Sequence, residues 1–251
     1  MRPSQHNPNR RTDLERYVHQ THRPLHCLLF LAPMLLAFHI GGAFWHSDLL
    51  APRDVYRVLR YFGASARYLP PLALVTLLVM QHIVHKDSTR PRLHVLGGMF
   101  GESLVGILPL IALDYLTGRV LIGLALTSLS ALALSTGDIS LAQRLVTDMG
   151  AAVYEEFIFR MFLIGVVLLV FVDILGLDKE ALAVGAIIFS SVVFSMYHFS
   201  GDQMTFASFP WRDFIFRCLA GAYLGVLYVT RGLGVAVGVH AFFNMYVSMS
   251  S

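Results

Sequence analysis

The apolar positions of this chain mostly fall neither on alternate residues nor on one helical face. They run together in long stretches parted by short polar joints. A helix needs about 20 consecutive apolar residues to cross the hydrocarbon layer of a bilayer. Stretches near that length cover approximately 25–45, 69–85, 93–116, 120–135, 150–172, 181–199, 214–230 and 232–249. In lipid every backbone N–H and C=O must find its partner inside the segment, which leaves the helix as the form such runs take. The pattern predicts an all-α fold, a polytopic transmembrane helix bundle of about eight spans. Pro70 and Pro71 sit in the first turn of the second span, where a missing amide donor costs nothing.

Two stretches carry a helical period instead. Over 53–62, Val55, Val58, Leu59 and Phe62 share one face while Arg53, Asp54, Arg57 and Arg60 fall elsewhere, the pattern of a helix lying flat on the membrane. Over 137–149, Leu141, Leu145 and Met149 stand opposite Asp138, Arg144 and Asp148, an amphipathic lead-in to the fifth span. Residues 1–24 hold five arginines and no apolar run, and read as a basic arm on the membrane surface. The first span begins too late for a secretory signal and is expected to be a retained anchor. The chain divides accordingly into the arm at 1–24, the amino-terminal spans at 25–136 and a carboxy-terminal core at 137–251.

Composition agrees: 56% of residues are hydrophobic and 14% charged, with a mean hydropathy of +0.63. Soluble chains run about 45–50% apolar and about 25% charged, so no separate soluble domain is expected. The net charge of +3 does not indicate a nucleic-acid partner, because the basic residues lie beside the spans, where they orient the chain and meet anionic lipid. With the amino terminus inside, eleven Lys and Arg fall on the cytoplasmic side, Arg212 among them, against seven outside, Arg231 among them. That count favours a cytoplasmic amino terminus in a multi-pass protein of a prokaryotic cytoplasmic membrane. Cys27 and Cys218, far apart within apolar segments, suggest neither a disulfide nor a metal knuckle.

Charge inside a span needs a reason, since an ionised side chain near the bilayer centre costs at least about 2.5–3.5 kcal/mol on insertion scales. The fifth span carries three such groups, Glu155, Glu156 and Arg160. Glu156 and Arg160 stand one turn apart on one face, with the glutamate first, while Glu155 is rotated to the neighbouring face. One carboxylate is thereby fixed by an arginine, and the other is left to exchange a proton. The sixth span ends in Phe194-Ser-Met-Tyr-His198, and the eighth contains His240-Ala-Phe-Phe-Asn244, where His240 and Asn244 again share a face. Each group has a plain structural alternative: a salt bridge for Glu156 and Arg160, interhelical hydrogen bonds for the histidines and Asn244, packing for Phe194. Glu102 reads equally as a packing or a functional carboxylate, and Asp114, His39, His82, His85 and His94 as interfacial; none of these joins the catalytic set.

In order and spacing, the three motifs Glu155-Glu156-Phe-Ile-Phe-Arg160, Phe194 to His198 and His240 to Asn244 resemble the EExxxR, FxxxH and HxxxN motifs of the CPBP intramembrane proteases. That family includes the CAAX prenyl endopeptidases of the Rce type and the bacterial Abi proteins linked to bacteriocin processing and self-immunity. The resemblance covers about 140–249. It implies an intramembrane endopeptidase in which Glu155, with His198, activates a water, Glu156 and Arg160 hold the geometry and charge, and His240 and Asn244 donate to the oxyanion. The expected partners are the lipid bilayer and a membrane-associated peptide or protein substrate, either a prenylated CAAX-type chain or a bacteriocin- or immunity-related one. The residues that bind the substrate are not identified. No metal or other cofactor is expected, because no His-Glu-x-x-His pair lies on one helix; zinc on Glu155, His198 and His240 is the alternative. The rival functions are a catalytically idle scaffold or immunity protein, and a proton-coupled transporter using the same carboxylates. A transporter of that kind would show a broken span or inverted halves, and neither is visible in the sequence.

Overall fold

The computed structural model describes residues 12–45, 69–123, 140–199 and 209–250, and all regular structure among them is helical. The helices are α1 (Asp13–Thr21), α2 (Pro24–Trp45), α3 (Leu69–Val84), α4 (Leu93–Val105), α5 (Ile107–Gly123), α6 (Leu141–Ile174), α7 (Lys179–Tyr197), α8 (Trp211–Arg231) and α9 (Leu233–Ser250). Six described helical segments are long and apolar enough to cross a membrane: Pro24–Gly42, Leu93–Arg119, α6, α7, α8 and α9. The second expected span appears as the shorter apolar helix α3. The chain is an integral membrane protein built as a helix bundle. The flat helix expected at 53–62 lies outside the described residues, as does the fourth expected span beyond Gly123.

The sequence and structure differ at three joints. The third span is interrupted at Gly106, which keeps helical angles and bonds its N–H to the Glu102 carbonyl, so the path bends without unwinding. The amphipathic lead-in from Leu141 is continuous with the fifth span, giving one helix of 34 residues. Part of the polar arm is folded: Thr12 and Glu15 form a reciprocal capping box that starts α1. Tyr17 of α1 donates to Glu102 at 3.1 Å, and Arg231 of α8 pairs with the same carboxylate. Burial pushes the Tyr17 hydroxyl above its ordinary pKa against the opposing pull of Arg231, which keeps it a donor. Glu102 thus takes the packing role of the two open to it.

These contacts also correct the assignment of charges by side. Arg231, assigned opposite the arm, lies against Tyr17 of the arm, its guanidinium 5.4 Å from the ring centre. Arg212, assigned to the arm's side, pairs at 2.7 Å with Asp114 near the opposite end of the bundle, the end where Gln143 bonds the Trp45 carbonyl. The alternation of sides drawn from eight spans misplaced both residues; exchanging the two leaves the count at eleven against seven.

The last helix is the core of the bundle. Every residue from Leu233 to Ala241 is buried, against α6, α4, α8 and α2. Small residues make that burial possible, since between lipid-embedded helices close backbone approach supplies packing that apolarity alone does not. A Cβ on Gly238 would strike the Ser103 hydroxyl and the Phe30 ring, and one on Gly234 would strike Met99. Gly221 and Gly225 do the same for α8 against Ser191, Phe194 and Ile187 of α7. The α8–α9 turn is made by Gly232 at φ +91°, a conformation that side chains rarely adopt.

Gly238→Val should therefore lower the thermal midpoint in detergent, overpacking of this kind costing about 1–3 kcal/mol. Gly185→Ala, at a position where an added Cβ meets no atom within 4 Å, should leave the midpoint unchanged or raise it.

Candidate active site

The backbone of α6 changes character just after the paired glutamates. It is α-helical to Glu156 and π-helical over Phe157–Ile164, with i→i+5 hydrogen bonds; such π stretches concentrate at functional sites. The one-turn pairing expected of Glu156 and Arg160 survives this change, with Arg160 Nε 3.1 Å from Glu156 Oε2. Both side chains are fully buried. Their contact is close but not aligned as a hydrogen bond, and Arg160 Nε and Nη1 and Glu156 Oε2 have no hydrogen-bond partner among the described residues.

Other helices complete the pair. Arg160 Nη2 donates to the Gly221 carbonyl of α8 at 3.3 Å. The Arg160 guanidinium lies 4.5 Å from the centre of the Phe194 ring of α7, a cation–π contact whose value grows where water is excluded. Glu156 Oε1 accepts from His240 Nδ1 of α9 at 2.8 Å. Phe194, read from the sequence as packing, is thus an electrostatic partner of Arg160. Its ring also meets those of His198 at 4.8 Å and His240 at 6.0 Å, each edge to face.

Glu155 is buried on the adjacent face and stands between two imidazoles. Its oxygens lie 3.7 Å from His198 Nε2 and 3.6 Å from His240 Nε2, beyond hydrogen-bond length. The orientation of each ring follows from its other nitrogen. His198 Nδ1 is 2.8 Å from the Phe194 carbonyl, which only accepts, so Nδ1 carries a proton and Nε2 is turned towards Glu155. His240 Nδ1 donates to the salt-bridged Glu156, which fixes the ring and turns Nε2 towards Glu155. Asn244, one turn further along α9, is half-buried and makes no hydrogen bond among the described residues. Of the six residues picked out in the sequence, five meet in this cluster through measured contacts. Asn244 is placed there by its shared helix face with His240.

Neighbours that the sequence did not single out support the site. Tyr154 donates to His39 Nε2 at 3.3 Å, tying α6 to α2 beside Glu155, so His39 is a structural partner. Tyr154 and His39 lie on different spans with no spacing signal to join them. No group of three or more His, Cys, Asp or Glu among the described residues is disposed to hold a metal ion. A hollow of about 250 Å³ near Cys27, Gln81, Met161 and Tyr228 is separate, and none of the motif residues lines it.

The inner faces of this membrane helix bundle gather two carboxylates, two imidazoles and a guanidinium into one buried polar cluster. Residues 137–246 match the family model described as type II CAAX prenyl endopeptidase Rce1-like. That segment, which holds all three motifs, is similar to the CPBP/CAAX protease family. Neither the curated proteins nor the solved structures yield a match.

Arg160→Met should destabilise the protein by about 3–5 kcal/mol in detergent unfolding, because Glu156 is then left as an uncompensated buried charge. The double variant Arg160→Met with Glu156→Gln should recover most of that loss.

Proposed function

We propose that this protein is an intramembrane endopeptidase that hydrolyses a peptide bond of a membrane-associated substrate with a water activated by Glu155 and His198. The observation that carries the reading is the position of the Glu155 carboxylate between the Nε2 atoms of His198 and His240, from three separate helices. Separations of 3.6–3.7 Å are too long for direct bonds and suit a water that touches the carboxylate and an imidazole together.

In this mechanism Glu155 takes a proton from the water while His198 Nε2 accepts the water's second hydrogen, and the oxygen attacks the scissile carbonyl carbon. The resulting oxyanion is met by His240 and by the amide of Asn244, donors fixed before the charge develops. His240 meets the oxyanion as an imidazolium throughout, its Nδ1–H held by the Glu156 carboxylate and its Nε2–H donating. Glu155 then delivers its proton to the departing amine nitrogen as the C–N bond breaks. Glu156 and Arg160 do not exchange protons in this scheme; they position His240 and Phe194. The substrate is a prenylated CAAX-type chain or a bacteriocin- or immunity-related membrane peptide. No step runs through a metal ion.

The test compares new protein amino termini in membranes containing the wild-type chain or Glu155→Gln at matched folded levels. Termini dependent on Glu155 are expected, with cleavage reduced about 10²–10⁴-fold in the variant, the usual contribution of a general base. Identical terminus profiles together with a persistent phenotype would favour the idle scaffold or the transporter. Chelation at fixed pH should leave the Glu155-dependent cleavage unchanged; its loss, with recovery on adding zinc, would assign a metal to the site.

A further inference from the structure

Arg217 is a cation that the scheme above does not use. It is half-buried within the apolar span of α8, where an unpaired charge is costly. Among the described residues it makes no hydrogen bond and no salt bridge. Its one close partner is the ring of Phe199, 5.3 Å from the guanidinium carbon, and Phe199 directly follows His198. Asp213, one turn earlier, is the nearest anion in sequence, but its carboxylate is engaged by Arg212 at 3.3 Å.

The position of Arg217 relative to the site follows from helix direction. Helices α6 and α8 run the same way, each antiparallel to α7, and Gly221 of α8 lies opposite Arg160 of α6. Four residues earlier on each helix come Arg217 and Glu156, so Arg217 stands level with the paired glutamates. The Ser195 hydroxyl donates to the Phe214 carbonyl at 2.9 Å, which seats this turn of α8 on the turn of α7 that leads to His198. The charge of Glu155 acts on Arg217, as do those of Asp213 and Arg212. Beside it, the rings of Phe199, Phe209 and Phe214 pack on one another at 5.3–6.4 Å, giving an apolar wall to the same corner.

We infer that Arg217 is a substrate-binding residue that pairs with a carboxylate of the peptide next to the scissile bond. A planar guanidinium held by an aromatic face, with its N–H groups unspent, matches a carboxylate in two parallel hydrogen bonds. The inference rests on the peptidase reading of the Glu155 site and adds a substrate feature to it. Two peptide sources offer that group, a free carboxy terminus and an acidic side chain.

Binding of acetylated trileucine to the full chain in detergent micelles tests this without requiring turnover. Three forms are compared: the free acid, the carboxy-terminal amide, and an amide with glutamate as the central residue. The wild type should bind one of the carboxylate forms about ten-fold or more tightly than the plain amide, the scale of a hydrogen bond to a charged group. Preference for the free acid assigns the terminal carboxylate, and preference for the glutamate form assigns the side chain. Arg217→Gln should abolish the preference without weakening the plain amide, and Arg217→Lys should retain part of it. Equal binding of all three forms, no binding of either acid form, or a preference that survives Arg217→Gln would overturn the inference. Hydrolysis, read separately through Glu155→Gln, decides the peptidase reading on its own.

Discussion

The structure depends on burying one guanidinium. Arg160 is wholly enclosed, and taking an ion of that size out of water costs several kcal/mol even after relaxation. What offsets the cost comes from four helices: Glu156 on α6 itself, the Phe194 ring on α7, the Gly221 carbonyl on α8 and, through Glu156, His240 on α9. Satisfying the cation therefore fixes the relative position of all four. The satisfaction is incomplete, since two guanidinium nitrogens and one carboxylate oxygen lack aligned partners. A buried pair of this kind contributes less to stability than to the choice of one arrangement over others.

That arrangement would be useless on a loosely packed scaffold. Donors that stabilise developing charge act only if they are oriented in advance. Here His240 belongs to the most enclosed stretch of the chain, and the turn before it carries Gly238 against Ser103 and Phe30. The Ser103 hydroxyl is itself spent on the Met99 carbonyl, so it has no rotamer to yield to a side chain at position 238. Glu102, next to Ser103, then ties the α8–α9 turn to α1 through Arg231 and Tyr17. A polar contact outside the site thus holds the helix that brings His240 into it.

Much of this was legible before any coordinates. Apolar runs gave the helical class and most spans, because length and apolarity are what a bilayer selects. The spacing of Glu156 and Arg160 gave their pairing, because residues four apart share a face whichever tertiary contacts follow. The rest was not encoded locally. Periodicity shows which face of 141–149 is apolar but not whether the helix continues, and it does. Assigning sides requires an exact count of crossings, and Arg212 and Arg231 fell on the wrong sides when eight were assumed. Phe194 and Arg217 were missed for a shared reason: a cation over an aromatic ring leaves no mark in spacing. A hint was present for Arg217, a cation within an apolar run with its only close carboxylate adjacent to another arginine.

The two adjacent glutamates show how one sequence motif yields two chemical characters. Neighbouring helical residues point about 100° apart, so Glu155 and Glu156 cannot face the same partners. Glu156 faces the arginine and accepts a short bond from His240, which leaves it little freedom to gain a proton without losing both contacts. Glu155 faces two imidazoles, each just beyond hydrogen-bond reach. A proton can arrive at Glu155 and leave again without dismantling any contact that holds the bundle together. His240 links the two, one nitrogen on the fixed carboxylate and the other towards the exchangeable one, so the structural pair sets the electrostatics of the reactive one. On this argument the order within the pair matters: an exchange of roles would place the proton-exchanging group at the point where four helices are joined.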